Sequence, residues 1–205
     1  MSGYIKVNLL DLSEMGELEK VSKIISDFSC PYNLDVEEFL KEKALMFSKQ
    51  RIAVTYLVFA SYRENPALVG YFALTTKYFH IDANKIGGIS KNLFKRIKKF
   101  AVHDKELGKH IIAAPLIGQL GKNYSNNYDK LITGDELLKI ACDTVREALR
   151  IVGGKLVYLE CEDTPSLLRF YEDNGFYNFG KRELDGDEKD KMSGKYLIQM
   201  LKYLG

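Results

Sequence analysis

The sequence predicts an α/β protein whose mixed sheet has about seven strands and helices on both faces. Segments with the two-residue period of strands alternate with segments that have the 3.6-residue period of helices. One strand–helix–strand unit is long enough for a parallel crossover, whereas short turns join most other neighbouring strands. Neither a repeat nor a low-complexity linker interrupts the chain, so we expect one domain over residues 1–205.

The composition is that of an ordinary globular domain. Of the 205 residues, 46% are hydrophobic and 28% are charged, so the chain buries a core without disulfides or a structural metal. The net charge of +2 indicates no global attraction to nucleic acid or to a membrane. The three cysteines and three histidines lack the spacing of zinc ligands, so we expect no metal. No apolar run approaches the ~20 residues of a membrane span and no signal peptide is evident, which favours a cytoplasmic protein without membrane contact.

The first half of the chain has the pattern β-α-α-β-β. A polar–apolar alternation predicts the first strand, and apolar stripes at helical spacing predict two helices separated by Cys30-Pro31. Two segments rich in β-branched and aromatic residues follow, and the turn sequence RENPA between them indicates an antiparallel hairpin. These elements cover residues 4–9 (strand), 14–26 and 35–49 (helices), and 52–62 and 68–79 (strands).

The second half has the pattern β-α-β-α-β-β after a less regular region at residues 81–108. Pro115 and Gly118 indicate a bulge or an interrupted ladder in the first of its strands. That strand and the next should be parallel, and the last strand should offer an edge on which a homodimer is possible. The elements are strands 111–121 and 155–162, helices 134–152 and 165–174, and strands 176–184 and 195–204 around a charged loop.

Three segments carry a resemblance to a known superfamily: PLIGQLGKNYSNNYDKLITGDELLKIA, LVYLECED and FYEDNGF. These segments and the order of the predicted elements resemble those of the GCN5-related N-acetyltransferases, the GNAT superfamily, over nearly the whole length of the chain. The resemblance implies a parallel strand pair that splays apart and acetyl-CoA as the acyl donor. It also implies transfer of the acetyl group to a primary amine by direct attack. The identity of the acceptor stays open.

Acetyl-CoA needs partners for its pyrophosphate and for the amides of its pantetheine arm. A helix N-terminus attracts anions, and a strand that leaves its neighbour exposes main-chain groups. We therefore assign cofactor binding to two groups and to the end of the short helix: Ile117, Gly118, Gln119 and Leu120 with Lys122; Thr133, Gly134 and Asp135; and Asn174.

The expected phosphate loop departs from the superfamily pattern R/Q-x-x-G-x-G/A. Here the loop reads Asp129-Lys130-Leu131-Ile132-Thr133-Gly134, and only its last glycine agrees. Thr133 and Glu136 form a capping box, which uses two donors and leaves acidic side chains near the phosphates. A well-capped helix without a ligand is the alternative. Compensating donors are available in Lys122, Asn123, Asn126, Asn127 and Lys130.

Tyr171 is the candidate general acid, because a phenol is a plausible proton donor to the departing thiolate. We expect Leu167 and Phe170 to face the core and Tyr171 to point into a cleft, with Asn174-Gly175 ending the helix in a left-handed cap. Glu160 and Glu162, two residues apart at a strand end, are candidate bases, and Asp163 is a weaker third. The alternatives are a half-buried tyrosine bonded to a carbonyl and a solvated pair of glutamates.

Residues 91–101, KNLFKRIKKFA, read as an amphipathic helix with five cations and no acid. We favour a solvated face, although an RNA-binding protein would use such a face too. The segment DFSCPYNLDVEEFLKEKA is similar to the N-terminal region of GNAT toxins, which acetylate aminoacyl-tRNA. A toxin-like enzyme and a non-catalytic acyl-CoA-binding or regulatory module are therefore the alternatives to a general N-acetyltransferase.

Overall fold

The structure is a computed structural model that describes residues 3–82, 88–186 and 194–205. Within these ranges the strands are β1 Ile5–Asn8, β2 Val54–Tyr62, β3 Asn65–Asp82, β4 Val102–Asp104, β5 Lys109–Lys122, β6 Leu156–Cys161, β7 Tyr177–Glu183 and β8 Tyr196–Tyr203. The helices are α1 Leu9–Glu14, α2 Leu18–Ser26, α3 Leu34–Glu38, α4 Ala44–Lys49, α5 Lys91–Ile97, α6 Gly134–Val152 and α7 Pro165–Asp173. Most of the charged loop predicted before the last strand lies outside the described residues.

The strands form a mixed sheet in the order β1-β2-β3-β5-β6-β8-β7, with β4 paired to β5. Antiparallel ladders join β1 to β2, β2 to β3, β6 to β8 and β7 to β8. The sheet has one parallel pair, and the crossover through α6 makes β5 and β6 that pair. The mixed α/β class is confirmed. The prediction that the last strand is an edge is wrong, because β8 lies between β6 and β7.

The chain divides into two compact units, and β3, β5 and α6 each contribute residues to both. The first unit comprises Met1–Thr75 and Ile117–Asp143. Its core packs α1 to α4 against the hairpin of β2 and β3, with Leu9, Phe28, Leu40 and Tyr71 among its most buried side chains. A Cβ at Gly121 of β5 would overlap a methyl group of Val36, so glycine is needed for this close approach of α3.

The second unit comprises Thr76–Leu116 and Thr144–Gly205. One apolar cluster joins α5 to five strands, with Ile97 of the helix packed among Phe79, Ile112, Tyr158, Phe179 and Leu201. The rings of Tyr158 and Phe179 each lie with their centroids 4.7 Å from that of Phe79. The cluster therefore fixes both the position of α5 and the side that it turns outward.

Two of the predicted helices are interrupted. Residues 14–26 do not form one helix, because Asn8 caps a helix that begins at Leu9 and Gly16, at φ 79°, separates α1 from α2. A π-helical turn, Phe39–Lys43, lies between α3 and α4 where one α-helix is predicted. The apolar period shows that a segment is helical but does not distinguish these local changes of hydrogen bonding.

Other elements agree closely with the sequence prediction. Helix α6 spans Gly134–Val152, as predicted. Strand β5 is one 14-residue strand in spite of Pro115 and Gly118, so the expected interruption is not seen in its secondary structure. The region predicted to be less regular contains the short strand β4 and the helix α5.

Candidate active site

Gly118, near the end of β5, is the most exposed of the residues predicted to bind the pantetheine arm. Ile117 is buried, Gly118 is exposed, and Gln119 and Leu120 are half-buried. No described atom would lie within 4 Å of a Cβ added at Gly118. The space beside Gly118 is therefore not filled by any described residue.

A side-chain contact anchors the same segment to α3. The Gln119 Nε2 donates a hydrogen bond to the Asp35 Oδ2 over 3.0 Å. At the next residue of α3, the Val36 carbonyl accepts a hydrogen bond from the Tyr71 hydroxyl. Burial raises the pKa of Tyr71 well above its usual value. Asp35 is not among the site residues predicted from the sequence, because a contact across 84 residues leaves no local pattern.

Asn123 follows β5 and is only 1% exposed. Its Oδ1 accepts hydrogen bonds from the Ser29 and Ser125 backbone N–H groups, and its Nδ2 donates to the Leu68 carbonyl over 2.9 Å. The prediction that Asn123 is a spare donor for a phosphate is therefore wrong. Its amide holds the chain that leads from β5 towards α6.

The predicted capping box at the start of α6 is confirmed. The Glu136 N–H donates to the Thr133 Oγ1 over 3.1 Å, and the Thr133 N–H donates to the Glu136 Oε2 over 2.8 Å. The bonds from Thr133 hold the pKa of Glu136 below its usual value. Because the Thr133 and Glu136 N–H groups are used within the cap, the helix has fewer donors for an external anion.

Asn126 and Asn127 lie in the 3₁₀ segment before this helix, with φ of 51° and 59°. Asparagine tolerates this left-handed conformation better than most residues. The loop is therefore built on two consecutive left-handed residues rather than on the glycines of the superfamily pattern. Lys122 is half-buried at the end of β5, with its Nζ 5.8 Å from the centroid of the Tyr124 ring.

Tyr171 lies on α7 and is 8% exposed, whereas Phe170 is only half-buried. The expectation that Phe170 is the more buried of the two is wrong. Both the Phe170 and the Phe176 ring contact Tyr171, at centroid distances of 5.0 and 5.8 Å. Among the residues that the structure describes, the Tyr171 hydroxyl has no hydrogen-bond partner. Burial raises the pKa of Tyr171, and the nearby Cys161 raises it further.

Glu160 of β6 is held by two neighbours. Its Oε2 accepts from the Arg182 Nε over 2.7 Å, and its Oε1 accepts from the Gln199 Nε2 over 2.8 Å. The side chains of Arg182 and Glu160 are 25% and 11% exposed. These contacts give Glu160 a structural role that sequence spacing did not indicate.

Glu160 and Tyr171 belong to different faces of the sheet in the second unit. Successive residues of a strand alternate between faces, so Glu160 shares the face of Tyr158, which packs in the cluster with α5. Cys161 points to the other face and influences Tyr171. The two groups are therefore not neighbours. A cavity of about 860 Å³ opens beside Glu160 and is lined in part by Phe79, Tyr158, Phe179, Arg182 and Gln199.

The remaining predicted residues lie at the ends of β6 and α7. Glu162 is half-buried, and its carboxylate has no ion-pair or hydrogen-bond partner within the described ranges. Asp163 accepts a hydrogen bond from the Tyr196 hydroxyl over 2.9 Å. Asn174 ends α7 with its Nδ2 bonded to the Phe170 carbonyl, and Gly175, at φ 77°, supplies the predicted left-handed cap.

The three cysteines, Cys30, Cys142 and Cys161, are free and buried. Burial is the main cause that raises the pKa of Cys30 and that of Cys161, the latter to about 12. A thiol in such surroundings is a poor nucleophile. The described residues contain no group of three His, Cys, Asp or Glu side chains arranged to hold a metal ion. They also contain no helix that is long and apolar enough to cross a membrane.

No protein-family model matches the sequence, and no curated protein matches it. Solved structures do match the fold. The alignment with a bacterial toxin covers 100% of this chain and 92% of the toxin chain, at 14% identity and a TM-score of 0.61. AtaTR bound with AcCoA covers 97% of this chain with 93% of its own, at 16% identity and a TM-score of 0.53. AtaT complexed with acetyl-methionyl-tRNAfMet covers 85% of each chain, at 18% identity and a TM-score of 0.54. At these identities the likeness establishes a common fold.

Proposed function

We propose that this chain, which has the fold of the GCN5-related N-acetyltransferases, transfers an acetyl group from acetyl-CoA to a primary amine. The observation that carries the proposal is the match of 97% of the chain to AtaTR, whose structure is bound with AcCoA. Because one fold hosts many activities, the proposal also depends on the chemistry of the residues present. It assumes the cytoplasmic location that the sequence predicts.

Main chain in the first unit is assigned to the donor. We assign the main-chain N–H and C=O groups of Ile117, Gly118, Gln119 and Leu120 to the pantetheine amides, and the open space beside Gly118 supports this assignment. The start of α6 at Thr133, Gly134 and Asp135 is assigned to the pyrophosphate, with Lys122 as an additional cation. The capping box lowers the number of donors there, so we expect moderate rather than tight acetyl-CoA binding.

The reaction is a direct displacement at the thioester carbonyl. The amine nitrogen forms a bond to the acetyl carbon, the carbon–sulfur bond breaks, and the CoA thiolate leaves. The hydroxyl of Tyr171 is protonated at neutral pH, since an ordinary phenol has a pKa of about 10 and burial raises the pKa of Tyr171 further, so it has a proton to donate to the thiolate. Asn174 takes no direct part in this step. It ends α7 and so helps to hold Tyr171, the proton donor, in place.

The amine loses a proton during the reaction, and we assign this proton to Glu162 rather than to Glu160, because Glu162 lies beyond the end of β6 and is not fixed to the face that Glu160 shares with Tyr158. The Glu162 carboxylate has no described partner, whereas both oxygens of Glu160 accept hydrogen bonds from Arg182 or Gln199. A base is most needed for an amine that arrives protonated. An α-amino group, with a pKa of roughly 7.7–8.0, is partly neutral at physiological pH and needs less help.

Aminoacyl-tRNA is the second candidate acceptor, and one observation favours it. AtaT, which shares the fold over 85% of this chain, was solved with acetyl-methionyl-tRNAfMet. That ligand is an aminoacyl-tRNA that already carries an acetyl group. A small amine and a protein lysine or N-terminus are the competing acceptors.

Calorimetry with acetyl-CoA tests the donor, and thiol release with a panel of amines tests the transfer. The panel includes polyamines, peptides and charged tRNA, with deacylated tRNA as the matched control. Micromolar acetyl-CoA binding with amine-dependent thiol release supports the enzyme. Binding without release on every amine supports a non-catalytic acyl-CoA module, and the absence of acetyl-CoA binding contradicts both.

A further inference from the structure

Positive charge is concentrated in one stretch of the second unit. Residues 88–116 contain seven lysines and arginines against two aspartates and glutamates, an excess of five positive charges, whereas the whole chain carries only +2. Five of these cations lie on α5 and the 3₁₀ turn that follows it, and all five are exposed: Lys91, Lys95, Arg96, Lys98 and Lys99.

The lysines of this stretch lack counter-charges. On other helices, lysines pair with carboxylates one turn away, as in Lys41 with Glu37 at 2.7 Å and Lys139 with Asp143 at 2.6 Å. Among the described residues, Lys91, Lys95, Lys98 and Lys99 form no such ion pair. Like charges four residues apart, such as Lys91 and Lys95, destabilise a helix. The arrangement therefore has no evident benefit for the fold.

The packing of α5 keeps these lysines at the surface. Ile97 is fully buried, and Leu93 and Phe94 pack against the same apolar cluster, so the helix has one fixed outward side. Arg96 is the exception, because its guanidinium lies 3.8 Å from the centroid of the Tyr203 ring and its Nη2 donates to the Gly205 oxygen. The other four define what we call the α5 basic face: Lys91, Lys95, Lys98 and Lys99.

We infer that the α5 basic face binds the phosphate backbone of an RNA. Lys91 and Lys95 are about 6 Å apart along the helix axis. Lysine ammonium groups are compact charges that bind phosphates without distinguishing one base from another. A membrane is a poor partner, because a surface-bound helix inserts its apolar side and here that side is buried in the core. An acidic protein segment is the competing partner.

This inference deepens the proposed function, because it identifies a surface of this chain for an RNA acceptor. It therefore rests on the proposed function. It is tested by binding alone. Fluorescence anisotropy with labelled, unfractionated deacylated tRNA is recorded between 50 and 200 mM salt for the native chain and for K95E/K98E. The matched control is K23E/K49E, which makes the same change of net charge at two exposed lysines of the first unit.

We expect K95E/K98E to weaken tRNA binding by at least about tenfold. The slope of log K against log salt should become shallower by about 1.4–1.8, because two phosphate contacts are lost. The control should stay within about twofold of the native chain. K95Q/K98Q, which removes charge without introducing acid, should show the same change of slope with a smaller loss of affinity. Equal losses in K95E/K98E and in K23E/K49E would overturn the assignment of the surface.

Two further outcomes separate this inference from the proposed function. If the native chain acetylates small amines but does not bind tRNA, the enzyme stands and the RNA surface is rejected. If tRNA binding depends on the α5 basic face but acetyl-CoA does not bind, the surface stands and the transferase is rejected. Binding of polyglutamate rather than tRNA at this face would also overturn the inference, in favour of an acidic protein.

Discussion

The Gln119 Nε2 donates a hydrogen bond to the Asp35 Oδ2 over 3.0 Å, across 84 residues of sequence. The contact ties the open end of β5 to the first turn of α3. The Asn33 side chain caps this turn, and the Tyr71 hydroxyl bonds the Val36 carbonyl within it. The main chain assigned to the pantetheine arm is therefore held by a side chain that approaches from a helix.

Gln119→Ala should weaken acetyl-CoA binding about two- to tenfold, because one hydrogen bond that orders this main chain contributes roughly 0.5–1.5 kcal/mol. Asp35→Ala should act in the same direction. The double variant should lose less than the sum of the two, because the residues act through one contact. Calorimetry measures each affinity. Asn65→Ala is the control, since it removes an exposed amide bond to the Arg63 carbonyl in the β2–β3 turn. Additive losses would show that the Gln119–Asp35 bond does not order the segment.

Tyr171→Phe should slow acetyl transfer by about 10²–10³-fold while leaving acetyl-CoA affinity nearly unchanged, because it removes only the proton donor. The variant should keep the stability of the native chain to within about 1 kcal/mol, because the hydroxyl has no described hydrogen-bond partner to lose and is not among the side-chain oxygens that are buried without one. Thiol-release kinetics and urea unfolding measure the two effects. Tyr177→Phe, at an exposed position on β7, is the control. An unchanged rate in Tyr171→Phe would remove Tyr171 from the mechanism.

Glu160 and Glu162 should respond differently to the same change. Glu160→Gln removes the negative charge that pairs with Arg182 and should mainly lower stability, whereas Glu162→Gln should mainly lower kcat/KM. Arg182→Met should cost about 2–3 kcal/mol, somewhat below the ~3–5 kcal/mol of a fully buried pair, because the two side chains keep some exposure. Urea unfolding measures this cost. Arg169→Met is the control, because that arginine pairs only at 3.7 Å on the surface. A large loss of rate with intact stability in Glu160→Gln would restore Glu160 as the base.

Local patterns in the sequence were sufficient for most of the elements. The apolar period of α6, together with the Gly153-Gly154 that ends it, predicted the helix, and Thr133 and Glu136 were identified as a capping box from their spacing alone. Both features depend on residues within a few positions of each other. The position of β8 between β6 and β7 depends on residues far apart in the sequence. The sequence therefore led to the wrong prediction that β8 is an edge strand.

The candidate site was less predictable for the same reason. Periodicity placed Tyr171 on the outward side of α7, but the aromatic neighbours Phe170 and Phe176 bury it. Arg182 engages Glu160 across 22 residues, and Asn123 is bonded to Leu68 across 55. Such partners follow from tertiary packing. A single sequence without aligned relatives contains no direct signal for them.

The capping box predicts a dependence of stability on pH. The pKa of Glu136 is lowered from its ordinary value of 4.5 by its bonds to Thr133. The contribution of ionised Glu136 to the free energy of unfolding is therefore fully present above about pH 4.5. It is lost as the pH falls through the lower pKa of Glu136 in the folded state. Thr133→Ala should cost about 1 kcal/mol at neutral pH, and the difference from the native chain should shrink in acid. Urea unfolding at several pH values measures it.

Glu136→Gln separates the cap from the proposed phosphate site. The glutamine still accepts from the Thr133 N–H but does not titrate, so the pH dependence assigned to Glu136 should disappear while most of the cap remains. Because the change also removes a negative charge from the first turn of α6, acetyl-CoA should bind a few-fold more tightly, and the gain should fall with added salt. Asp143→Asn removes a carboxylate farther along the same helix and is the control. Equal effects of the two variants on acetyl-CoA affinity would show that the pyrophosphate does not bind at the start of α6.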